Sequence, residues 1–453
     1  MIPLKISEII SATGAKIYGD MTDAVVKSVC QDSRLAVSES MFFAIKGDAF
    51  DGHNFVASAI EKGCNAIVVQ NTDCLKGVDL RDVNVLLVDD TVKALQDLSK
   101  AYLNNLNVKK VAVTGSTGKT STRDMIYYVC SEKYKTQKNQ GNFNTVVGVP
   151  LTILEFDKDI EVAVIEMGMD HKGEIDTMVD IVRPDIGVIT NIGISHMENF
   201  ESRDGIFDAK MEITNYFDEN STLIVTESEN YLNRENINLE NIGYNLVFTG
   251  EDKDDEFFTY DIEPQGDMGV KFKVKHDDEI GEFFVPVPGR HNALNGTLAV
   301  AVGKKLGVSF EEAARGLAKI ELTGKRLSVK EKNGIKIIDD TYNASPDSMK
   351  AALDILSITK GERHIAVLGD MLELGKDEVK YHQEIGEIAR EKADMVITVG
   401  SLAKHISDEN NFKDIGEFIE NMDNILKSGD VVLFKGSRGM ALDKAVEKLL
   451  DEC

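Results

Sequence analysis

The 453-residue sequence lacks the features that mark secreted, disulfide-stabilised or membrane-spanning proteins. Its five cysteines form no C-x-x-C pair and no metal-type spacing, and such an odd, unpaired set fits a reducing compartment. No stretch approaches the ~18 consecutive apolar residues that a membrane helix needs. The N-terminal segment MIPLKISEIISATGAKIYGD carries charges throughout and has no apolar core, so we expect no signal peptide. We therefore expect a cytoplasmic protein without membrane insertion.

Basic residues are outnumbered by acidic residues. There are 51 lysines and arginines against 77 aspartates and glutamates, which gives a net charge of −26. Because this charge repels polyanions, we expect no nucleic-acid partner. A small anionic substrate remains compatible with the sequence, since local basic groups and metal ions override the global field. The length suggests about three domains, and 42% apolar with 28% charged residues is typical of a globular protein.

The chain divides into three blocks with different patterns. Residues 1–88 contain short buried strands with a helical segment between them. Residues 89–321 alternate apolar strands with helices, which favours a parallel sheet, and an acidic, alternating segment at about 245–286 predicts an antiparallel addition. Residues 322–453 repeat the strand–helix rhythm on a smaller scale after a KNGIK hairpin turn. We expect an α/β protein with a small N-terminal domain, a central domain of the phosphate-loop ATPase type and a Rossmann-like C-terminal domain.

A glycine-rich stretch in the central block, VAVTGSTGKTSTRDM, predicts a phosphate-binding loop. It departs from the G-x-x-x-x-G-K-[ST] pattern, because Val113 stands where the first glycine belongs. Its context is nevertheless a β-branched strand followed by a helix, whose N-terminal N–H groups favour an anion. Lys119 would neutralise phosphate charge and the Thr120 hydroxyl would bind Mg²⁺. The alternative is a solvated helix cap with an exposed lysine. The candidate nucleotide-binding residues are Gly115, Ser116, Thr117, Gly118, Lys119, Thr120 and Ser121.

Two polar residues follow strands of the same block. Glu166 ends the strand of VAVIEMGMDHKGEI, and His196 follows that of VITNIGISHMENF. In an open parallel sheet, ligands bind just outside these strand ends. A carboxylate there can hold the hard Mg²⁺ ion that accompanies ATP, although either residue alone can be structural.

The compact turn TGSTGKTS, followed in order by Glu166 and His196, resembles the Mur ligase superfamily of ATP-driven enzymes that join an acid to an amine. The resemblance implies ATP and two Mg²⁺ ions, with Thr120, Glu166 and His196 at the magnesium and γ-phosphate positions. It also implies that Lys210, in SRDGIFDAKMEI, matches the lysine that many relatives carbamylate to form an extra carboxylate for the second ion. Lys119, His196 and Lys210 are the catalytic candidates.

The resemblance continues towards the C-terminus. Asn292 in GRHNALN would contact adenine, although an asparagine near a helix start can also be a cap. Arg326 would lie against the nucleotide, and Asp340 would bind the ribose or a metal-linked water. Asn343, in DDTYNASPDSM, is a candidate substrate contact, although TYNASPDS alone also fits a polar loop and a helix N-cap.

The remaining substrate candidates lie in two earlier segments. The segment from Gln31 to Val69 resembles the uridine-nucleotide-binding domain of the members that add the third residue or the terminal dipeptide to the cell-wall precursor. GNFNTVVG supplies two further candidates, but Thr145 stands where many relatives have a second asparagine. These candidates are Asp32, Ser33, Arg34, Lys46, Asn142 and Asn144.

The segments GNFNTVVGVPLTIL, DDTYNASPDSM and VLGDMLELG are closer to the dipeptide-adding members. The resemblance implies UDP-N-acetylmuramoyl-tripeptide and D-alanyl-D-alanine as substrates, a monomer, and a C-terminal block that closes over the site and binds the acceptor. ATP would convert the tripeptide carboxylate into an acyl phosphate, and the dipeptide amine would then displace phosphate through a tetrahedral intermediate.

Three alternatives remain open from the sequence. One is a related ligase with a different acceptor, of the third-residue-adding or folylpolyglutamate type. Another is a phosphate-loop ATPase that performs conformational work on a protein partner. The last is a nucleotide-binding scaffold without turnover.

Overall fold

The computed structural model describes residues 1–47, 50–194, 197–200, 202–227, 231–237, 242–324 and 327–451. Two compact units can be distinguished along the chain. The first consists of Met1–Ala112, Tyr134–Met169 and Gly173–Asp185, and the second of Val113–Lys133, Asp170–Lys172 and Ile186–Cys453. None of the helices in the described ranges has both the length and the apolar character needed to cross a membrane.

The N-terminal part is a small α/β arrangement. Its described elements are β1 (Leu4–Lys5), α1 (Ile6–Thr13), β2 (Lys16–Tyr18), β3 (Val25–Val26), β4 (Ser28–Cys30), β5 (Ser40–Phe43), α2 (Val56–Glu61), β6 (Ala66–Val69) and β7 (Asn84–Leu87). The main sheet has the order β2-β7-β6-β5-β4, with β4 to β7 parallel and β2 antiparallel to β7. Both β5 and β6 are buried along their whole length, as expected of the short buried strands predicted within residues 1–88.

The central part contains the longest sheet of the described residues. Its elements are α3 (Thr91–Asn104), β8 (Lys109–Thr114), α4 (Lys119–Ser131), β9 (Thr136–Lys138), α5 (Gly148–Glu155), β10 (Val162–Glu166), α6 (Glu174–Val182), β11 (Ile186–Ile189), α7 (Arg203–Met211), β12 (Thr222–Thr226), β13 (Asn245–Gly250), β14 (Phe257–Pro264), β15 (Val270–His276), β16 (Glu279–Val285), α8 (His291–Lys305) and α9 (Phe310–Leu317). The strand order is β16-β15-β14-β13-β12-β11-β8-β10-β9.

The antiparallel addition exists, but it begins later than the sequence pattern predicted. Strand β13 pairs in parallel with both β12 and β14, whereas β14 pairs with β15, and β15 with β16, in the antiparallel direction. The reason lies in the side-chain pattern. Residues 247–250 of β13 are buried consecutively, as in a parallel strand, whereas β15 alternates buried Val270, Phe272 and Val274 with more exposed lysines.

The C-terminal part is a second α/β arrangement, in which a mostly parallel sheet is packed between helices. Its elements are β17 (Ser328–Lys332), β18 (Ile335–Asp339), α10 (Pro346–Ile358), β19 (Arg363–Gly369), α11 (Glu378–Lys392), β20 (Met395–Val399), β21 (Asn411–Phe412), α12 (Ile415–Ile425), β22 (Asp430–Lys435) and α13 (Asp443–Asp451). The described strands follow the order β17-β18-β22-β19-β20-β21, and every pair except the β17–β18 hairpin is parallel.

Local sequence explains two features of this C-terminal layer. The hairpin turns at Asn333 and Gly334, whose positive φ angles of 52° and 77° match the Asn-Gly signal. Successive residues of β18 point to opposite faces, so that Ile338 packs with α10 and α11 while Ile337 packs with α12 and α13. Helices therefore cover both faces of the sheet, as expected of a Rossmann-like domain.

Candidate active site

The glycine-rich loop connects the end of β8 to the start of α4. Gly115 has a φ of 149°, and a Cβ placed on it would lie 1.8 Å from Thr190 Oγ1. Gly118 has a φ of 77° and precedes the first residue of α4. Both positions therefore require glycine, one because of close approach and the other because of its left-handed backbone.

Residues that follow β11 brace the loop from the side. The N–H groups of Ser116 and Thr117 donate to the carbonyl oxygen and side-chain oxygen of Asn191, both at 3.0 Å. The Asn191 amide nitrogen donates back to the Thr117 carbonyl and hydroxyl oxygens, again at 3.0 Å. The Gly193 N–H donates to Ser116 Oγ at 2.8 Å. Because these bonds come from a neighbouring strand end, the loop conformation is fixed by tertiary structure.

Lys119 folds back over this loop. Its Nζ donates to the carbonyl oxygens of Gly115 at 2.8 Å and Ser116 at 3.2 Å. Thr120, the next residue, is 4% exposed, while Ser121 is partly buried. The positive group is thus held at the N-terminus of α4, where the helix dipole also favours an anion.

Lys210 lies in the last turn of α7 and is buried. Burial, followed by the positive charge of Lys119, lowers the pKa of the Lys210 amine well below its usual range. A buried lysine in this state loses its proton readily, which makes its nitrogen a nucleophile.

Glu166 ends β10 and is 1% exposed. The side-chain amide of Asn144 donates to Glu166 Oε1 at 2.8 Å. Asn139 fixes the backbone of the same residue, with its side chain bonded to both the N–H and the carbonyl oxygen of Glu166 at 3.0 Å. Of the two asparagines predicted to touch substrate, Asn144 therefore orients this carboxylate, while Asn142 is exposed.

Asn292 lies near the start of α8, but it does not cap the helix. Its amide nitrogen donates to the Pro288 carbonyl at 2.8 Å, and its Oδ1 accepts from Asn295 at 3.2 Å. Asn295 in turn lies against the loop, since a Cβ on Gly118 would be 3.2 Å from its Oδ1. Asn292 is thus linked to the loop through one intermediate side chain.

The C-terminal candidates gather around Lys435. Its ammonium forms a buried ion pair with Asp340 and donates to the Asn343 carbonyl at 3.0 Å. The Asn343 residue itself is exposed. Ser345 caps α10 by accepting from the N–H of Ser348, as the TYNASPDS pattern suggested.

Two of the predicted site residues, His196 and Arg326, lie outside the described residues.

The N-terminal candidates form a different kind of surface. Ser33 is buried within a single turn of 3₁₀ helix, whereas Lys46 is exposed. The Arg34 guanidinium bonds to the Asp32 carboxylate at 2.7 Å, and its side chain is 85% exposed. Hydrogen bonds from Arg34 lower the pKa of Asp32 to about 2.

Sequence reasoning missed the residues that hold the site together. Asn191 and Asn295 brace the loop, and Thr190 donates to the Thr117 carbonyl oxygen at 2.6 Å. Asp347, at the start of α10, accepts from the Ile194 N–H at 3.3 Å. The only local signal was that TNIG and NALN place polar side chains beside a strand end and a helix start.

Sequence models of Mur ligase domains match three consecutive segments. The Mur ligase family catalytic domain matches residues 25–103, the Mur ligase middle domain residues 113–303, and the Mur ligase glutamate ligase domain residues 325–438. Together these segments cover most of the chain.

Individual relatives agree over nearly the full length. The UDP-N-acetylmuramoyl-tripeptide–D-alanyl-D-alanine ligase of Bacillus subtilis (strain 168) is 39% identical, over 98% of this chain and 97% of the relative. The crystal structure of MurF from Acinetobacter baumannii matches with a TM-score of 0.90 and 31% identity, over 99% of both chains. That of MurF ligase from Thermotoga maritima in complex with ADP matches with a TM-score of 0.81 and 29% identity, over 95% and 99%. The resemblance carried by the compact loop is thereby confirmed, and the chain belongs to the Mur ligase family.

Proposed function

We propose that this protein joins D-alanyl-D-alanine to UDP-N-acetylmuramoyl-tripeptide and converts ATP to ADP and phosphate. The observation that carries the proposal is the similarity of almost the whole chain to a Bacillus subtilis ligase named for these two substrates. The braced loop of residues 115–120 supports it, because an acid–amine ligase needs a place to hold the phosphates of its energy source.

ATP would bind with its phosphates on the loop and on the first turn of α4. Lys119 would offset the charge that develops on the transferred phosphoryl group. A relative of this chain has been crystallised in complex with ADP, which supports nucleotide binding. We assign Asn292 to the adenine end, and Arg326 and Asp340 to the nucleotide as the C-terminal part approaches it.

The donor set fits Mg²⁺. Thr120 offers a hydroxyl, and Glu166 offers a buried carboxylate oriented by Asn144, and both are the hard oxygen ligands that this ion prefers. We propose these residues, with His196 and a modified Lys210, as the ligands of two ions. When bound, the ions would reduce the repulsion between ATP and the substrate carboxylate.

Carbamylation of Lys210 would supply the additional carboxylate. Its neutral amine nitrogen would attack the carbon of CO₂ and release one proton, leaving a carbamate. Intact-protein mass spectrometry at neutral pH with bicarbonate should detect the added CO₂ in the wild type and not in Lys210→Arg. An equal mass gain in both proteins would rule out this residue as the modified one.

We assign the remaining substrate contacts separately for each of the three predicted domains. Residues 1–88 would bind the uridine nucleotide through Asp32, Ser33, Arg34 and Lys46. Residues 89–321 would hold ATP and the reacting carboxylate, with Asn142 and Asn144 near the peptide. Residues 322–453 would bind the dipeptide, with Asn343 as a contact, and the enzyme would act as a monomer.

The reaction would proceed in two steps. The tripeptide carboxylate would take the γ-phosphoryl group of ATP, because a free carboxylate resists attack by an amine. The neutral dipeptide amine would then form the new carbon–nitrogen bond as phosphate leaves.

A single coupled assay tests this function. Purified protein is incubated with ATP, Mg²⁺ and UDP-N-acetylmuramoyl-tripeptide, with and without D-alanyl-D-alanine, and both ADP and peptide products are measured. We expect ADP to form in proportion to a pentapeptide nucleotide, and only with all substrates present. Phosphate release that ignores the dipeptide would instead indicate an ATPase, and a preference for a single amino acid acceptor would indicate another ligase of the family.

A further inference from the structure

A cavity of ≈ 470 Å³ lies beside α7, and none of the residues assigned so far lines it. It is lined by Arg203, Asp204, Phe207, Asp208, Tyr231 and Asn236. The four residues from α7 are spaced so that they occupy one face of the helix. The last two come from the segment that follows β12.

Arg203 and the two aromatic residues give this cavity fixed walls. The Arg203 guanidinium lies 4.9 Å from the centre of the Tyr231 ring, and the Phe207 and Tyr231 ring centroids are 5.9 Å apart. Arg203 Nη2 donates to the Ile192 carbonyl at 2.6 Å. Its Nε is buried and has no hydrogen-bond partner within the described part of the chain. Arg203 is therefore anchored on the segment that braces the phosphate loop.

The charge of the lining selects a class of ligand. Asp204 and Asp208 are exposed at the cavity, and the Asp204 carboxylate also interacts with the Tyr231 hydroxyl. Burial, followed by the Asp204 charge, raises the pKa of the Tyr231 hydroxyl, which therefore stays neutral at physiological pH. The lining carries two carboxylates and one guanidinium, so its net charge is negative and favours a cationic ligand. The aromatic side chains beside these groups favour a ligand whose charge is carried on an aliphatic stem.

The cavity is also placed close to the reaction. Ile192, which holds Arg203, is followed by Gly193, whose N–H bonds the loop residue Ser116. Lys210 lies on the same helix, about 10 Å along its axis from Arg203. A residue whose carboxylate is activated at the loop could therefore extend its side chain along α7.

We propose that this cavity receives the cationic side chain of the tripeptide's third residue, with Asp204 and Asp208 recognising its terminal ammonium. The inference deepens the proposed function and rests on it. Lysine and diaminopimelate share this ammonium. The acceptor dipeptide fits less well, since its amine must be uncharged to react and it offers no other cationic group.

The test compares three UDP-N-acetylmuramoyl-tripeptides that end in lysine, diaminopimelate or norleucine. Norleucine keeps the aliphatic stem and lacks the ammonium. Equilibrium binding of each is measured by calorimetry, and ligation to D-alanyl-D-alanine by product formation. The variants are Asp204→Asn and Asp208→Asn. The control is Glu420→Gln, which removes the negative charge of an exposed residue in α12.

We expect the wild type and the Glu420→Gln control to bind at least one basic peptide about tenfold more tightly than the norleucine peptide. The two Asp variants should lose most of this preference through Kd and KM, while binding of the norleucine peptide and its kcat stay unchanged. Normal norleucine binding also shows that the variants are folded. Which basic peptide is preferred identifies the natural third residue.

Equal binding of all three peptides by the wild type would overturn the cavity assignment, as would a preference for the basic peptides that survives in both Asp variants. Binding that discriminates without any ligation would keep the assignment and overturn the proposed function. The two proposals therefore fail by different outcomes.

Discussion

The central site and the N-terminal candidate surface are built in opposite ways. In the phosphate loop, Thr117 bonds to Asn191, 74 positions away, and the buried Glu166 carboxylate bonds to Asn144, 22 positions away. In the N-terminal part, Arg34 is exposed and bonds to Asp32, two residues away. The difference teaches what to expect of the proposed roles: residues proposed to act in phosphoryl transfer should be held in place by the fold, whereas residues proposed to bind a substrate can remain on the surface and reorganise when it arrives.

The strongest test of this comparison is Lys119→Ala. Because its ammonium is the charge held over the loop, we expect kcat to fall about a thousandfold or more. Lys444→Ala, which removes an exposed lysine from α13, serves as the control and should leave turnover unchanged. Near-normal turnover of Lys119→Ala in a steady-state ADP assay would contradict the assignment of the loop.

Asn144→Ala should have the next largest effect. Without its amide donor the Glu166 carboxylate is no longer oriented, so we expect kcat or the apparent Mg²⁺ affinity to fall about 10- to 100-fold. Titrating Mg²⁺ in the activity assay separates the two. Asn107→Ala, which removes the amide of an exposed asparagine, is the matched control. If Asn144→Ala and the wild type showed the same dependence of activity on Mg²⁺ concentration, Asn144 would not have the proposed positioning role.

Gly115→Ala tests whether the loop depends on its close packing. The new Cβ would collide with Thr190, which itself bonds the Thr117 carbonyl, so we expect a loss of about 2 kcal/mol in unfolding free energy. ADP binding should weaken as well. Gly243→Ala, where a Cβ meets no atom within 4 Å, should leave the unfolding midpoint and ADP binding unchanged. Similar midpoints for the two variants would argue against a rigid loop.

Arg34→Ala should have the smallest effect on the fold and a selective effect on binding. We expect KM for the uridine nucleotide substrate to rise about tenfold with kcat unchanged, because one phosphate-type contact is lost. Arg81→Ala provides the control, since Arg81 pairs with Asp79 in the same two-residue arrangement. An unchanged KM would show that Arg34 is only a surface partner of Asp32.

The Asp32–Arg34 pair also predicts a pH dependence. The pKa of Asp32 is lowered in the folded protein to about 2, so its contribution to stability is present above pH ~4 and is lost as the pH falls towards 2. Because the pair is exposed, the contribution is small. The small difference in stability between the wild type and Arg34→Ala should therefore be present above pH ~4 and disappear as the pH falls towards 2, which acid unfolding of the two proteins measures.

Much of the architecture could be predicted from local patterns. Apolar runs located the parallel strands, and Asn333 with Gly334 located the C-terminal hairpin. The onset of the antiparallel strands was placed too early, because an acidic composition near residue 245 looked like a change of sheet type while the burial of β13 decided otherwise. The domain limits at 88 and 321 stay predictions.

The site was only partly predictable for a related reason. Lys119, Thr120 and Glu166 could be singled out because a loop motif or a strand end marks them. Asn191 and Asn295 could not, since an asparagine after a strand or inside a helix carries no local sign of what it will bond. For Asn144 the sequence suggested a substrate contact, and only the approach of a residue 22 positions away turned it towards Glu166.

By itself the sequence determined the α/β class, the position of the phosphate loop and the ligase family, because these depend on periodicity and on short motifs whose geometry is local. The tertiary structure decided which side chains hold that loop, how Glu166 is oriented and that burial lowers the pKa of the Lys210 amine. Those properties arise from burial and from hydrogen bonds between distant segments, and neither exists until the chain has folded.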